Sequence, residues 1–154
     1  GAAFGIAQMD KIATLWQLRN RNFQSYYTFF AQYPELFITP TTLPETDTTW
    51  ICYPIQLRPE TGWSRKALQI HLEDSGVFSR VIFSGNITRH PMLRGRHYRV
   101  HPAGLGNCDQ IMEFGIMLPC HPTMSEEDCS YVHQVLTEFI EADGAPRPVL
   151  ASAP

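Results

Sequence analysis

The chain has 154 residues, of which 44% are hydrophobic and 18% charged, and its net charge is -3 at pH 7; this indicates one globular domain and excludes disordered and fibrous classes. The acidic balance argues against a nucleic-acid binder, which would need a basic face. No apolar run approaches the roughly 20 residues that cross a bilayer, and the first residues lack the pattern of a signal peptide, so we expect a soluble, cytoplasmic protein that binds no membrane.

The first predicted element is a long amphipathic helix from about Phe4 to Phe30. This segment contains no proline, and its apolar residues recur at steps of three and four, which is the period of a helix. Their face is rich in aromatic rings and larger than a small sheet needs, so we expect part of it to be exposed for self-association or for docking another domain. The helical pattern is already running at Ala2 with no N-cap residue before it, which indicates a fragment or a processed domain. The face consists of Ile12, Leu15, Trp16, Phe23, Tyr26, Tyr27 and Phe30.

Two strands are predicted next. An apolar stretch at residues 36–38, between Pro34 and Pro40, predicts a short strand. Residues 50–57 alternate between apolar and other side chains, which predicts a half-buried strand. Because proline cannot donate a hydrogen bond to a neighbouring strand, Pro54 indicates an edge position or a bulge. The predicted buried face consists of Ile51, Tyr53, Ile55 and Leu57.

A capped helix and a third strand follow. Ser64 is the predicted N-cap of this helix, and Gly76 is its predicted end. The inward positions are Ala67, Leu68 and Leu72, and residues 77–83 predict the strand.

The C-terminal part predicts two more helices with a strand between them. Asn107 or Asp109 is expected to cap a short helix that stops at Gly115, and residues 116–118 predict a strand. A capping box formed by Ser125 and Asp128 is expected to open the last helix. The apolar stripe of that helix consists of Val132, Val135, Leu136, Phe139 and Ile140.

This order of elements predicts an α+β fold, in which helices pack on a small antiparallel or mixed sheet and a long helix stands at the N-terminus. The domain is expected to comprise residues 1–142. The Gly-, Ala- and Pro-rich residues 143–154 are expected to form a flexible tail.

The most informative segment begins directly after the third strand. Gly85 and Asn86 predict a turn, Arg89 and His90 follow it, and no acidic residue occurs from Ser75 until Asp109. Arginine forks and histidines suit phosphate or carboxylate, which predicts an anionic ligand. On spacing alone, a solvated basic loop is an equally good interpretation. The basic residues of this segment are Arg89, His90, Arg94, Arg96, His97, Arg99 and His101.

The remaining chemistry-bearing residues predict no metal site and no catalytic group. The cysteines are widely spaced in a chain that is large enough to fold without disulfides, so free thiols are expected. A zinc site that uses two of them with His121 and His133 is the weaker interpretation, because the close cysteine pairs of zinc sites are absent. Lys11 and Lys66 fall in predicted surface helices, where a buried Schiff-base lysine is not expected. The cysteines are Cys52, Cys108, Cys120 and Cys129.

Five blocks of the chain carry a resemblance to one family. They are residues 2–11, 50–55, 79–91, 107–112 and 118–128, and the third reads Ser-Arg-Val-Ile-Phe-Ser-Gly-Asn-Ile-Thr-Arg-His-Pro. In this order they resemble the small C-terminal domain of the DegT-like (DegT/DnrJ/StrS-type) nucleotide-sugar aminotransferases and dehydrases, which use pyridoxal phosphate. The third block looks most like the branch that contains the deoxysugar dehydrases, although some aminotransferases carry similar blocks.

The resemblance implies that a larger N-terminal domain holds the cofactor and that the parent enzyme forms a homodimer. The small domain would close over the cofactor cleft and contact the nucleotide-sugar substrate, and we expect no catalysis from this chain alone. Asn86 would hydrogen-bond near the sugar or cofactor, Arg89 would pair with a phosphate or carboxylate, and His90 would orient a neighbour or shuttle a proton. The alternative is a non-catalytic interaction domain, whose basic loop docks an anionic partner.

Overall fold

The computed structural model describes residues 2–144 of the chain. Of the predicted tail, only Asp143 and Gly144 belong to these residues, and the rest of it lies outside them. Among the described residues there are three single-turn 3-10 helices, at Pro59–Thr61, Ile87–Arg89 and Pro91–Leu93. The longer elements are α1 (Ala2–Met9), α2 (Ile12–Phe30), β1 (Phe37–Ile38), β2 (Cys52–Leu57), α3 (Arg65–Asp74), β3 (Arg80–Val81), α4 (Gly106–Phe114), β4 (Gly115–Pro119) and α5 (Glu126–Glu141).

The strands form one antiparallel sheet in the order β1-β2-β4-β3. Along the central pair, Tyr53 lies opposite Leu118 and Ile55 lies opposite Ile116, and all four side chains are buried. Helices α2, α3 and α5 pack with this face of the sheet. The predicted α+β fold with helices on a small antiparallel sheet is therefore confirmed.

Aromatic rings of α2 fill the space between the helices and the sheet. The ring of Tyr53 lies 4.9 Å from that of Phe23, 5.1 Å from that of Tyr26 and 5.5 Å from that of Phe30, measured between centroids. From α5, Leu136 and Phe139 are fully buried in the same core. Burial of each large apolar side chain contributes about 1.5–3 kcal/mol to folding, so this cluster holds the two layers together.

The prediction of one long N-terminal helix is wrong in one respect, because the segment is divided into α1 and α2. The break is at Asp10 and Lys11, where the Lys11 amide donates to the carbonyl of Gln8, three residues earlier. No residue of α1 is buried, so tertiary packing does not hold the two helices in one straight axis. The prediction that part of the aromatic face is exposed is confirmed, since Trp16 is 37% exposed and Tyr27 is 49% exposed.

Two strand predictions also need correction. The strand expected at residues 77–83 is only Arg80–Val81, because β4 offers β3 only the partners Met117 and Ile116. Ile51 precedes β2 and is exposed, whereas it was predicted to share the buried face. The edge interpretation of Pro54 fits, since β1 pairs only with the last two residues of β2 and leaves Pro54 without a neighbour on that side.

The predicted caps of α3 and α5 are confirmed, but the cap of α4 is not. The hydroxyl of Ser64 accepts from the amide of Ala67, and Ser125 and Asp128 form both bonds of a capping box. These bonds from Ser125 lower the pKa of the Asp128 carboxyl. Helix α4 has Leu105 at its N-cap position and no side-chain cap. It ends at Gly115, as predicted.

Candidate functional site

The turn that follows β3 is held against helix α4. Gly85 has φ +58, a conformation that favours glycine, and its amide donates to the carbonyl of Ile82. A Cβ at this position would meet the backbone and side chain of Met112, so only a glycine allows the turn to approach α4 so closely. Gly85 therefore determines both the conformation of the turn and its position against α4.

Asn86 is the buried centre of this turn, with 2% of its surface exposed. Its Oδ1 accepts from the amide of Thr88 at 3.1 Å and from the hydroxyl of Thr88 at 2.7 Å. Its Nδ2 donates to Oδ1 of Asp109 at 2.6 Å. Both ends of the amide are thus used inside the chain, and Asn86 positions its neighbours.

Asp109 also holds Arg89 in a two-point ion pair. Nε of Arg89 donates to Oδ1 at 2.9 Å, and Nη2 donates to Oδ2 at 2.8 Å. The hydrogen bonds from Arg89, followed by the one from Asn86, lower the pKa of the Asp109 carboxyl from 3.8 to about 2. The same pairing raises the pKa of the Arg89 guanidinium. Arg89 remains 63% exposed, and its Nη1 has no partner among residues 2–144.

His90 lies beside this cluster on the surface. Its Nε2 is 2.9 Å from the carbonyl oxygen of Ser84. Because a carbonyl only accepts, Nε2 carries a proton, and in the neutral ring Nδ1 is left as an acceptor. A pocket of about 150 Å³ adjoins the ring and is lined also by Phe83, Gly85 and Met112. This pocket is too small for a nucleotide sugar, so any such ligand would have to lie mainly outside it.

The structure thus brings the three predicted site residues together on one turn. The residue that sequence reasoning missed is Asp109, which was assigned to a helix cap and instead joins Asn86 and Arg89. One signal was present: Asp109 is the first carboxylate after the basic segment. The substrate contacts of Asn86, Arg89 and His90 stay predictions. Nη1 of Arg89 and Nδ1 of His90 have no partner within the described part of the chain.

The rest of the basic segment lies on the surface. Its side chains are exposed, and within the part of the chain that the structure describes none of its other arginines forms an ion pair. This positive surface extends from the fixed turn, and it suits either an anionic ligand or a solvated loop. The exposed residues are Arg94, Arg96, His97, Arg99 and His101.

The described residues do not fit the covalent anchor of pyridoxal phosphate. The covalent anchor that most enzymes use for this cofactor is a lysine amine. Lys11 and Lys66 are both exposed, and neither lines the pocket beside the turn. The four cysteines are free, and among residues 2–144 no three His, Cys, Asp or Glu side chains are arranged to hold a metal ion. No helix in that part of the chain is long and apolar enough to cross a membrane.

The Asp109 cluster predicts a pH signature. Because the folded-state pKa of Asp109 is below 3.8, its contribution to stability is complete above about pH 4 and is lost as the pH falls through about 2. We therefore expect Asp109→Asn to lower the free energy of unfolding at pH 7, and this difference to shrink towards pH 2. Denaturant unfolding between these values measures it, with Asp47→Asn in an exposed loop as the control. A difference that is independent of pH would contradict the pairing.

Known proteins resemble this chain over most of its length. The profile of the DegT/DnrJ/EryC1/StrS aminotransferase family matches residues 1–137. A dTDP-4-dehydro-2,6-dideoxy-D-glucose 3-dehydratase of Saccharopolyspora spinosa is 30% identical over 139 residues, which are 90% of this chain and 30% of the relative. The lipopolysaccharide biosynthesis protein RfbH of Salmonella typhimurium is 28% identical and is covered over 31% of its length.

Solved structures show the same fold. The Escherichia coli GDP-4-keto-6-deoxy-D-mannose-3-dehydratase, solved with bound hydrated PLP, superposes with a TM-score of 0.78 at 22% identity, over 87% of this chain and 34% of that one. DesV of S. venezuelae, solved with a ketimine intermediate, gives a TM-score of 0.77 at 18% identity, over 91% and 36%. The chain therefore spans about a third of the length of the proteins it resembles.

Proposed function

The chain belongs to the DegT/DnrJ/EryC1/StrS aminotransferase family, and from this premise we propose that it is the C-terminal small domain of a pyridoxal-phosphate-dependent nucleotide-sugar aminotransferase or deoxysugar dehydrase. Its length, about a third of that of its relatives, supports a larger domain elsewhere in the functional enzyme. The exposed positions of Lys11 and Lys66 support the same division, because the cofactor then depends on the larger domain.

The observation that carries the substrate part of this proposal is the fixed turn with its exposed cations. Asn86 and Asp109 hold Arg89 at the surface, and the positive segment continues from there. The diphosphate of a nucleotide sugar is the anion that this surface would meet, and Nη1 of Arg89 would donate to it. Asn86 acts as a positioning residue, and Nδ1 of His90 accepts a hydrogen bond from the ligand. In this arrangement the domain closes over the cofactor cleft of a homodimeric, cytoplasmic enzyme.

The test compares the chain alone with the product of a reading frame that continues upstream of residue 1. We expect the chain alone to retain no pyridoxal phosphate after dialysis, and the longer polypeptide to retain it and to convert a 4-keto-6-deoxy nucleotide sugar. Deoxygenation at C3 would identify a dehydrase, and amination would identify an aminotransferase. If the longer polypeptide retains no cofactor, and the chain alone binds an acidic protein through its basic loop, the interaction-domain alternative holds instead.

Arg89 gives the sharpest test of substrate contact. In the longer polypeptide we expect Arg89→Lys to weaken nucleotide-sugar affinity by about ten- to hundred-fold. The planar fork of arginine binds Asp109 and still has a donor for the ligand, whereas lysine keeps the charge but has no such fork. Arg96→Lys is the matched control, and as an isolated exposed charge it should change little. Calorimetric binding and steady-state kinetics measure both variants. Equal, near-zero effects would mean that the segment is a solvated loop.

A further inference from the structure

The face of the sheet opposite the aromatic core is apolar and open. Pro54, Met117 and Arg80 lie side by side across three strands on this outer face. The Sγ of Cys52 lies 3.3 Å from the Sδ of Met117, and both residues are half-buried. A groove of about 450 Å³ runs over them. An uncovered sheet face of this composition is unusual for a domain that works alone.

Large apolar side chains line this groove and are mostly exposed. Phe78 is 86% exposed, Phe83 is 81% exposed and Ile51 is 72% exposed. Single exposed apolar residues are normal on protein surfaces, but a cluster of them around a groove marks a contact surface. The charged or titratable side chains among the described lining residues are Arg80, His121 and the thiols of Cys52 and Cys120, and none is a carboxylate. The surface therefore suits an apolar element that carries a carboxylate opposite Arg80.

A second exposed apolar surface lies on helix α1. This helix exposes Phe4, Ile6 and Met9, each by about two thirds or more. Further along α2, Nη1 of Arg19 donates to the carbonyl of Trp50 at 3.3 Å. The carbonyl of Arg19 lies 3.6 Å from the Sγ of Cys120, which lines the groove. The middle of helix α2 therefore contacts both Trp50 and the groove residue Cys120.

We infer that the outer face of the sheet, together with α1, is the surface on which the larger domain of the same polypeptide docks. The inference rests on the proposed function, since the occupant is the part of the relatives' length that this chain does not cover. A second copy of this chain is a poorer occupant. In a symmetric pair through this face, the two grooves would bring two Arg80 guanidinium groups and no carboxylate to pair with either.

Cysteine labelling tests directly whether the larger domain covers the groove. Cys52 lies in the groove and is half-buried, whereas Cys120 and Cys129 are buried in the folded chain. We expect Cys52 to react with a maleimide at least about tenfold more slowly in the longer polypeptide than in the chain alone, as judged by mass spectrometry of the labelled peptides. Equal rates in the two forms would overturn the inference.

A charged side chain introduced into the groove provides a second test. Phe78→Glu should leave the melting temperature of the chain alone unchanged, because the side chain is 86% exposed. In the longer polypeptide it should restore fast labelling of Cys52 and lower the melting temperature. The matched control is Leu43→Glu, at a residue that is 71% exposed and does not line the groove. If Phe78→Glu behaves like Leu43→Glu in the longer polypeptide, the docking surface is elsewhere.

The outcomes separate this inference from the proposed function. A longer polypeptide that retains pyridoxal phosphate but leaves Cys52 fully reactive supports the function and overturns the docking surface. One that protects Cys52 but retains no cofactor supports the docking surface and overturns the function. Concentration-dependent protection of Cys52 in the chain alone, abolished by Phe78→Glu, would identify a second copy as the occupant and would also overturn the inference.

Discussion

Gly85→Ala is expected to destabilise the domain by about 2–4 kcal/mol, through two separable effects. The first is conformational, since φ +58 is costly for a residue with a Cβ. The second is steric, because the new Cβ would lie 2.6 Å from Cα of Met112 and closer still to its Cβ. Helix α4 would have to move away from the turn, and the bonds from Asp109 to Asn86 and Arg89 would stretch with it.

Gly95→Ala isolates the conformational effect. Gly95 has φ +70, but an added Cβ there would meet no atom within 4 Å. This control should therefore lose only about 1 kcal/mol, which is the cost of the left-handed conformation. Urea unfolding of both variants measures the difference between them. Equal losses would show that the turn does not press against Met112 in solution.

Asn86→Ala is expected to cost about 2–4 kcal/mol, because it removes hydrogen bonds to Thr88 and a charge-assisted bond to Asp109 from a site that is 2% exposed. Loss of this donor should also raise the pKa of the Asp109 carboxyl towards its ordinary value. Urea unfolding measures the stability, and carboxyl carbon chemical shifts follow the titration of Asp109.

The exposed Asn107 supplies the control for this substitution. It makes no side-chain hydrogen bond within the described residues, so Asn107→Ala should stay within about 0.5 kcal/mol of the unsubstituted chain. An Asn86→Ala variant as stable as the Asn107→Ala variant, with the titration of Asp109 unchanged, would rule out a buried amide at the centre of the turn.

The features that could be predicted from the sequence are those whose cause is local. A serine followed by an acidic residue three positions later predicts the cap of α5, because both partners lie in the same turn of the helix. The alternation along β2 predicts its buried face from Tyr53 to Leu57 for a similar reason. Ile51 broke this pattern because it precedes the first residue that pairs with β4, and the extent of pairing is a property of two strands.

The features that could not be predicted depend on distant partners. Asp109 looked like a helix cap because capping is the commonest local use of an aspartate near a helix start. Its partners Asn86 and Arg89 lie on a different element, and only the close approach of the turn to Met112 brings them together. The division between α1 and α2 has a similar cause. The helical period continues through it, but no residue of α1 is buried.

The chain makes a long excursion between β3 and β4. Residues 82–113 leave from one strand and return on its immediate neighbour, and within them Asn86 is the only fully buried residue and none belongs to the hydrophobic core. Such an excursion can open at a lower free energy than the whole domain. The exposed residues beyond the turn can therefore diverge with little effect on folding, whereas Gly85 and Asn86, which hold the turn against α4, cannot.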